Sequence, residues 1–281
     1  MTPEYLVISF ILSLFSGAAG ALLGLGGGVF LVPLLVYVLG VPMSLAAGAS
    51  ILAVIATSSA AAASYVEEEL TNIRLGMFLE LATTLGAVTG AFLVFTAGDR
   101  VLQAIFGFCL LYSSAFMFLQ QRRAGAIWVR RPNDRVAERL RLGGGYHDKA
   151  TGEDVAYGVD KSPLILGISY VAGVVSGLLG IGGGAIKVPA MNVVGGVPMK
   201  AAVATSNFMV GVTAAASAMV YIRYGRIDAF ITAPVIFGTL IGASLSARAT
   251  NRLRGSTIKL LFVAVLTLIG VRMILTGAGI W

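Results

Sequence analysis

Two glycine-rich stretches, each inside an apolar segment, are the parts of this sequence best suited to bind a ligand. Residues 24–28 (Gly-Leu-Gly-Gly-Gly) recur 156 positions later as residues 180–184 (Gly-Ile-Gly-Gly-Gly), and a proline follows five residues after each, at Pro33 and Pro189. A helix that begins at such a break exposes backbone N–H groups and the positive end of its dipole, and glycine lets a ligand approach closely. We therefore predict an anion site lined by six glycines: Gly26, Gly27, Gly28, Gly182, Gly183 and Gly184. The alternative is that the glycines only allow helices to pack closely.

Lys187 is the one charged residue in the second break region, and its counterpart in the first half is Leu31. An ionisable side chain at membrane depth is costly and usually functional, so Lys187 is expected to add positive charge to the anion site. Snorkelling to a nearby interface is the alternative. Polar side chains on the helices after each break are expected to line the same site: Ser50, Thr57, Thr205, Ser206, Asn207 and Thr213. Each hydroxyl could instead bond only to its own helix backbone.

The other reactive side chains do not form a catalytic arrangement. Glu80 lies in an apolar span and could relay protons, but we favour a position at the membrane interface. The sole histidine, His147, lies in a polar segment and is expected to be solvated, and the single cysteine, Cys109, excludes an internal disulfide and suits helix packing. The sequence has no HExxH motif and no phosphate-binding loop. We therefore expect neither an enzyme nor an ATP-driven pump, and no metal or other cofactor.

The composition requires a lipid environment for most of the chain. Of its 281 residues 57% are hydrophobic and only 12% are charged, with a mean hydropathy of +0.90, whereas soluble domains carry about 25% charged residues. The net charge of +7 does not indicate nucleic acid, because nine of the 20 Lys and Arg residues lie between Arg122 and Lys161. Under the positive-inside rule, that polar segment is predicted to be a cytoplasmic loop.

The glycine breaks divide the apolar sequence into helices. Residues 5–40 would measure roughly 54 Å as one helix, too long for a hydrocarbon core of about 30 Å. We therefore predict a V-shaped pair, in which one helix enters the membrane and a shorter one returns from the break. Three ordinary spans follow, and the second half repeats this plan. The predicted helices are 5–23, 28–40, 43–65, 75–96, 100–120, 164–180, 184–196, 199–222, 228–249 and 256–277.

These elements predict an all-α integral membrane protein with a two-fold internal repeat. The first transmembrane repeat is residues 1–120, the cytoplasmic loop is 121–163 with a small β-hairpin near 146–158, and the second repeat is 164–281. Each repeat has a V that returns to its starting side and three spans, so it crosses the membrane an odd number of times. The second repeat then starts on the opposite side from the first, and the two repeats should be inverted. The first helix is expected to be retained, because the N-terminus lacks the basic region of a cleaved signal peptide.

The doubled glycine motif resembles the TauE/SafE family, also called the sulfite exporter or sulfonate permease family. The resemblance rests on residues 24–28 with Pro33, on 180–184 with Pro189, and on Val197-Pro198-Met199-Lys200-Ala201-Ala202 running into Ala204-Thr205-Ser206. It covers both halves of the chain and leaves out the polar loop. It implies a multi-pass secondary transporter in the bacterial inner membrane that moves sulfite, sulfoacetate or related organosulfur anions, commonly outward.

Three readings of the function remain open from the sequence. The leading one is a secondary anion transporter that works by alternating access around the two glycine breaks. An anion channel, or a permease for a small anion without sulfur, would use the same breaks, and a structural membrane protein would carry no flux. The expected partners are the anion and the lipid bilayer, without nucleic acid, and a homodimer is left open.

Overall fold

The computed structural model describes residues 3–23, 26–122, 134–148, 152–249 and 255–279. Within these ranges the chain is helical apart from one hairpin and the short connections. Five of the described helices are long and apolar enough to cross a membrane: Met43–Glu67, Ile73–Leu93, Asp99–Leu119, Ser162–Leu179 and Met199–Arg223. The prediction of an all-α, multi-pass membrane protein is therefore confirmed.

The helix bounds follow the spacing of the sequence motifs. The first half contains α1 (Pro3–Leu23), α2 (Gly28–Leu39), α3 (Met43–Glu67), α4 (Ile73–Leu93) and α5 (Asp99–Arg122). The polar segment contains α6 (Arg135–Arg139) and strands β1 (Gly144–Asp148) and β2 (Glu153–Tyr157). The second half contains α7 (Ser162–Leu179), α8 (Gly184–Pro189) with a π-helical turn at Ala190–Val194, α9 (Met199–Arg223), α10 (Ala229–Ala249) and α11 (Gly255–Gly277). The predicted bounds agree to within a few residues, and α3 and α9 have the same length and equivalent ends.

The glycines at the breaks have the backbone conformation that only glycine adopts freely. Gly26 and Gly27 have φ angles of 75° and 76°, and Gly182 and Gly183 have φ angles of 78° and 71°, in the left-handed region that side chains disfavour. A Cβ atom on Gly20 of α1 would overlap the backbone of Gly27. The chain therefore turns back at the first break, and α2 packs against α1. Gly24, the first glycine of the motif, lies outside the described residues.

The helices pack in pairs that join the two halves. α1 packs along α10, and α7 packs along α4. These two pairs are equivalent, because α7 is the counterpart of α1 and α10 is the counterpart of α4. Small residues allow the close approach: a Cβ atom on Gly177 of α7 would overlap the carbonyl of Ala87, and one on Gly242 of α10 would overlap that of Leu14. Such packing is typical of membrane helices. Helix packing is therefore one role that glycines have in this fold.

Equivalent helices of the two halves run antiparallel to each other. Ser114, late in α5, donates a hydrogen bond to the carbonyl of Val263, early in α11, at 3.0 Å. At the other end of this pair, a Cβ atom on Gly277 would lie 2.7 Å from the carbonyl oxygen of Arg100. The helices α3 and α9 also pack together, with Gly48 near Tyr221. The contacts therefore place the start of one helix beside the end of its counterpart.

The polar segment covers one end of the helical bundle. Asn72, at the start of α4, donates to the carbonyl of Leu142 at 2.8 Å, and Lys200, at the start of α9, pairs with the Asp148 carboxylate at 2.6 Å. β1 and β2 form the antiparallel hairpin that the sequence predicted, whose turn at 149–151 lies outside the described residues. His147 has a 59% exposed side chain beside Asp154, as expected for a solvated histidine.

Candidate functional site

The two glycine breaks lie against one shared pair of valines. A Cβ atom on Gly182 would lie 2.7 Å from Val210 Cγ1 and 3.0 Å from Val54 Cγ1, and one on Gly26 would lie 3.7 Å from the same two atoms. Val54 in α3 and Val210 in α9 occupy equivalent positions and are fully buried. The structure therefore brings Gly26 and Gly182, one predicted glycine from each half, to one buried place in the protein.

Two short helices, α2 and α8, begin at the glycine breaks. Gly27 and Gly183 are the N-caps of α2 and α8, and neither end has a side-chain cap. The carbonyl of Gly27 accepts from the N–H groups of Phe30 and Leu31, and that of Gly183 accepts from Ile186 and Lys187. The short helices α2 and α8, called half-helices below, therefore present the positive ends of their dipoles near the breaks. The first half-helix also contacts the second break, since a Cβ atom on Gly28 would lie 2.7 Å from the carbonyl oxygen of Gly180.

The predicted hydroxyls divide into those at the breaks and one elsewhere. Ser50 donates to the carbonyl of Gly180 at 2.7 Å, which links α3 of the first half to the break of the second. Thr57 Oγ1 lies 3.3 Å from the carbonyl oxygen of Gly26, but it is closer to carbonyls of its own helix. Thr205 instead accepts a hydrogen bond at 3.0 Å from the backbone N–H of Asn72 in the α3–α4 connection. Its hydroxyl therefore anchors that connection and is not directed at a break.

Two more predicted residues on α9 are buried. Ser206 is the counterpart of Ser50, and its Oγ has no hydrogen-bond partner among the residues that the structure describes. The carbonyl equivalent to that of Gly180 belongs to Gly24, which is outside the described residues. Asn207 is 4% exposed. Both side chains are therefore buried in the protein, and their place in the anion site stays a prediction.

Lys187 is completely buried, so it does not snorkel to an interface. Its side chain folds back toward the break, because a Cβ atom on Gly183 would lie 3.3 Å from Lys187 Cε. Its Nζ donates to Thr213 Oγ1 at 3.2 Å, and Thr213 is its one hydrogen-bond partner within the described part of the chain. An ammonium group has three donors. Two of them therefore remain for another acceptor at this depth.

Glu80 lies on the other side of Thr213, and its expected position at the interface is wrong. Its side chain is 6% exposed, and Oε1 accepts from Thr213 at 2.8 Å and from Thr84 at 2.8 Å. Oε2 lies 3.1 Å from Thr83 Oγ1. Glu80, Thr213 and Lys187 thus form a buried chain in which a hydroxyl connects a carboxylate to an ammonium group. An unpaired charge is costly in the membrane. A lone acid in an apolar span was therefore the sequence signal that Glu80 has a buried partner.

This series of hydrogen bonds from Glu80 through Thr213 to Lys187 lies beside only one of the two breaks. The equivalent positions in the other half are Leu31 for Lys187, Thr57 for Thr213 and Ile236 for Glu80. Leu31 is fully buried, and the hydroxyl of Thr57 is directed at backbone carbonyls. The two breaks therefore differ in charge although their backbones are alike.

Comparison with known proteins assigns the chain to a family. The profile of the family described as "Sulfite exporter TauE/SafE" matches residues 9–273. The chain belongs to the TauE/SafE family. The resemblance noted in the glycine motifs is thereby confirmed. The TauE/SafE assignment makes the chain a membrane transporter of that type. No solved structure matches the chain.

Curated relatives of this TauE/SafE protein are also named as membrane transporters. The "Probable membrane transporter protein YunE" of Bacillus subtilis is 27% identical over 96% of this chain and 98% of its own length. A "Probable membrane transporter protein" of Xylella fastidiosa is 26% identical over 91% of this chain and 89% of its own length. The "Probable membrane transporter protein MamO" of Magnetospirillum gryphiswaldense is 28% identical over 95% of this chain, which spans 44% of that longer protein.

Proposed function

We propose that this TauE/SafE protein is a secondary transporter that carries small organosulfur oxyanions, such as sulfite, sulfoacetate or related sulfonates, out of the cell. The observation that carries the proposal is the buried Lys187 ammonium, which has donors to spare beside the second glycine break. A compact oxyanion has several acceptor atoms that fit such a group together with backbone N–H donors. The description of the family supports sulfite as one member of the substrate class.

Alternating access between two inverted repeats is the proposed mechanism. The antiparallel contacts of α5 with α11 support an inverted relation between residues 1–120 and 164–281. The two breaks lie together where these halves meet, which is where transporters with inverted repeats hold their substrates. Rocking of one half against the other would then expose one central anion site to each side of the membrane in turn.

A ligand screen followed by a flux assay tests this function. The purified protein should be stabilised against heating by sulfite and sulfoacetate more than by acetate, because a ligand that binds only the folded state raises its stability. Taurine and sulfate complete the screen. In proteoliposomes, substrate on the far side should accelerate uptake. Saturable flux without this acceleration would indicate a channel, and the absence of any flux would indicate a structural protein.

Chain orientation gives a separate prediction, with both termini periplasmic and residues 121–163 cytoplasmic. A cysteine introduced at position 2 should react with a membrane-impermeant thiol reagent in intact cells, whereas one at position 147 should react only after lysis. The reason is the concentration of Lys and Arg in the 121–163 segment. Labelling at position 147 together with protection at position 2 would reverse the orientation. The protein without either introduced cysteine controls for reaction at Cys109.

A further inference from the structure

The carboxylate of Glu80 and the ammonium of Lys187 share one hydroxyl group. Thr213 Oγ1 accepts from Lys187 Nζ at 3.2 Å and lies 2.8 Å from Glu80 Oε1, to which it can donate. Thr83 and Thr84 hold the same carboxylate from within α4. Both charged side chains are buried, at 6% exposure for Glu80 and 0% for Lys187. Without a bound anion, Glu80 is therefore the internal counter-charge of Lys187.

An anion that binds Lys187 disturbs this balance. With a monoanion bound, the site would contain two negative charges and one positive charge, away from water, where a nearby like charge disfavours the ionised form of a carboxylate. Unpaired charge in such an environment is strongly destabilising. One proton added to Glu80 removes the excess negative charge and leaves Lys187 paired with the anion.

Among the residues that the structure describes, no other charge is placed to take over this role. The helices α7 and α9 pack against α4, and the charged or titratable side chains on these three helices, besides Glu80, lie elsewhere. Lys200 is paired with Asp148 at the end covered by the polar segment, while Tyr221 donates to the carbonyl of Gly177. The others are Arg74 at the start of α4, Tyr170 beside Thr89, and Arg223 at the end of α9. Within the described residues, Lys187 is thus the charged group that hydrogen bonds connect to Glu80, through the hydroxyl of Thr213.

We propose that Glu80 takes up one proton when an anion binds at Lys187, so that anion and proton cross the membrane together; this rests on the proposed function. The proton comes from water on the side to which the site is open, and the Glu80 carboxylate becomes a carboxylic acid. Release of the anion returns the proton to water on the other side, and Glu80 again balances Lys187. A monoanion that moves with one proton carries no net charge, so the membrane potential does not act on the pair. The concentration gradients of the anion and of the proton together set the direction of transport.

Calorimetry with methanesulfonate tests the proposal, because this anion keeps the same charge throughout the accessible pH range. Titrating the purified full-length protein in two buffers with different ionisation enthalpies gives the number of protons bound per anion. At about pH 8, where an ordinary carboxylate is ionised, we expect about one proton per methanesulfonate. Because one proton is linked to binding, the dissociation constant should rise about tenfold per pH unit.

Two variants locate the proton. Glu80→Gln keeps the shape of the side chain and imitates its protonated form, so it should bind methanesulfonate without proton uptake and with an affinity independent of pH. Glu67→Gln removes the same charge from the exposed end of α3 and should behave like the unaltered protein. Binding to the unaltered protein without proton uptake, or uptake that persists in Glu80→Gln, would overturn the inference but leave the transport function intact. Absence of any methanesulfonate binding would overturn both.

Discussion

Gly183→Val is expected to abolish anion transport. Gly183 has a φ angle of 71°, a conformation that costs a β-branched residue about 1–2 kcal/mol or more. Its Cβ atom would lie 3.1 Å from the carbonyl oxygen of Ala172, 3.2 Å from Ser176 Cβ and 3.3 Å from Lys187 Cε. The valine must therefore move either α7 or the stem of the lysine. Uptake of labelled sulfite into proteoliposomes measures the effect.

Gly196→Val is the matched control for backbone strain. Gly196 has a φ angle of 69° but no atom within 4 Å of a Cβ atom, so a valine there meets strain without these contacts. It should lose some thermal stability and keep transport. Gly27→Val should be milder than Gly183→Val, since its nearest contact is the carbonyl oxygen of Ser16 at 3.5 Å. Transport by Gly183→Val at the level of Gly196→Val would show that the space around Gly183 is not needed.

These contacts change the reason for the expected loss. The sequence predicts that the glycines let an anion approach the backbone closely, so an added side chain at either break would fill the space of the anion. In the structure, Gly183 faces α7 and the Lys187 stem, whereas Gly182 and Gly26 face the valines shared by the two breaks. The repeat reveals which residues are equivalent, but it contains no information about the direction in which each Cα–H bond points.

The helices were predictable because glycine and proline mark their ends. The break before α2 and the Gly-Val-Pro sequence after it bound a segment too short to span a membrane, and the same marks recur before α9. The hairpin was predictable from alternating side chains around Gly152. Local residue types determine such features, so the sequence is sufficient to locate them.

The contact between Glu80 and Thr213 was not predictable, because it joins helices of different halves. Nothing in the residues near Glu80 shows that α4 packs against α9. The repeat gives no guide either, since the counterpart of Glu80 is Ile236 and that of Lys187 is Leu31. The charge asymmetry of the site depends on residues that break the repeat, and their partners become visible only when the helices are packed.

Lys187→Met is expected to weaken anion binding at least tenfold, about 1.4 kcal/mol or more. The half-helix ends supply only about half a unit of positive charge each, so the ammonium is the one full positive charge that the described residues place beside a break. Methionine has a similar length and no charge. Lys187→Arg keeps the charge in a larger, planar group and should retain part of the binding. Calorimetry with methanesulfonate measures each affinity.

The structure adds a cost that the sequence did not reveal. Removing the ammonium leaves the buried Glu80 carboxylate without its counter-charge, which destabilises a protein by about 3–5 kcal/mol unless the carboxylate takes up a proton. Lys187→Met alone should therefore lower the melting temperature at neutral pH. The double variant Lys187→Met/Glu80→Gln removes both charges and should recover the folded protein without recovering anion binding.

Leu31→Met is the matched control, since Leu31 is the equivalent residue in the first half and is equally buried. It changes the packing at the other break without changing any charge, and it should bind methanesulfonate nearly as well as the unaltered protein. Comparison with the double variant then separates charge from packing. If the folded double variant bound methanesulfonate as tightly as the Leu31→Met protein, the backbone of the two breaks would be the ligand, and Lys187 would serve only to balance Glu80.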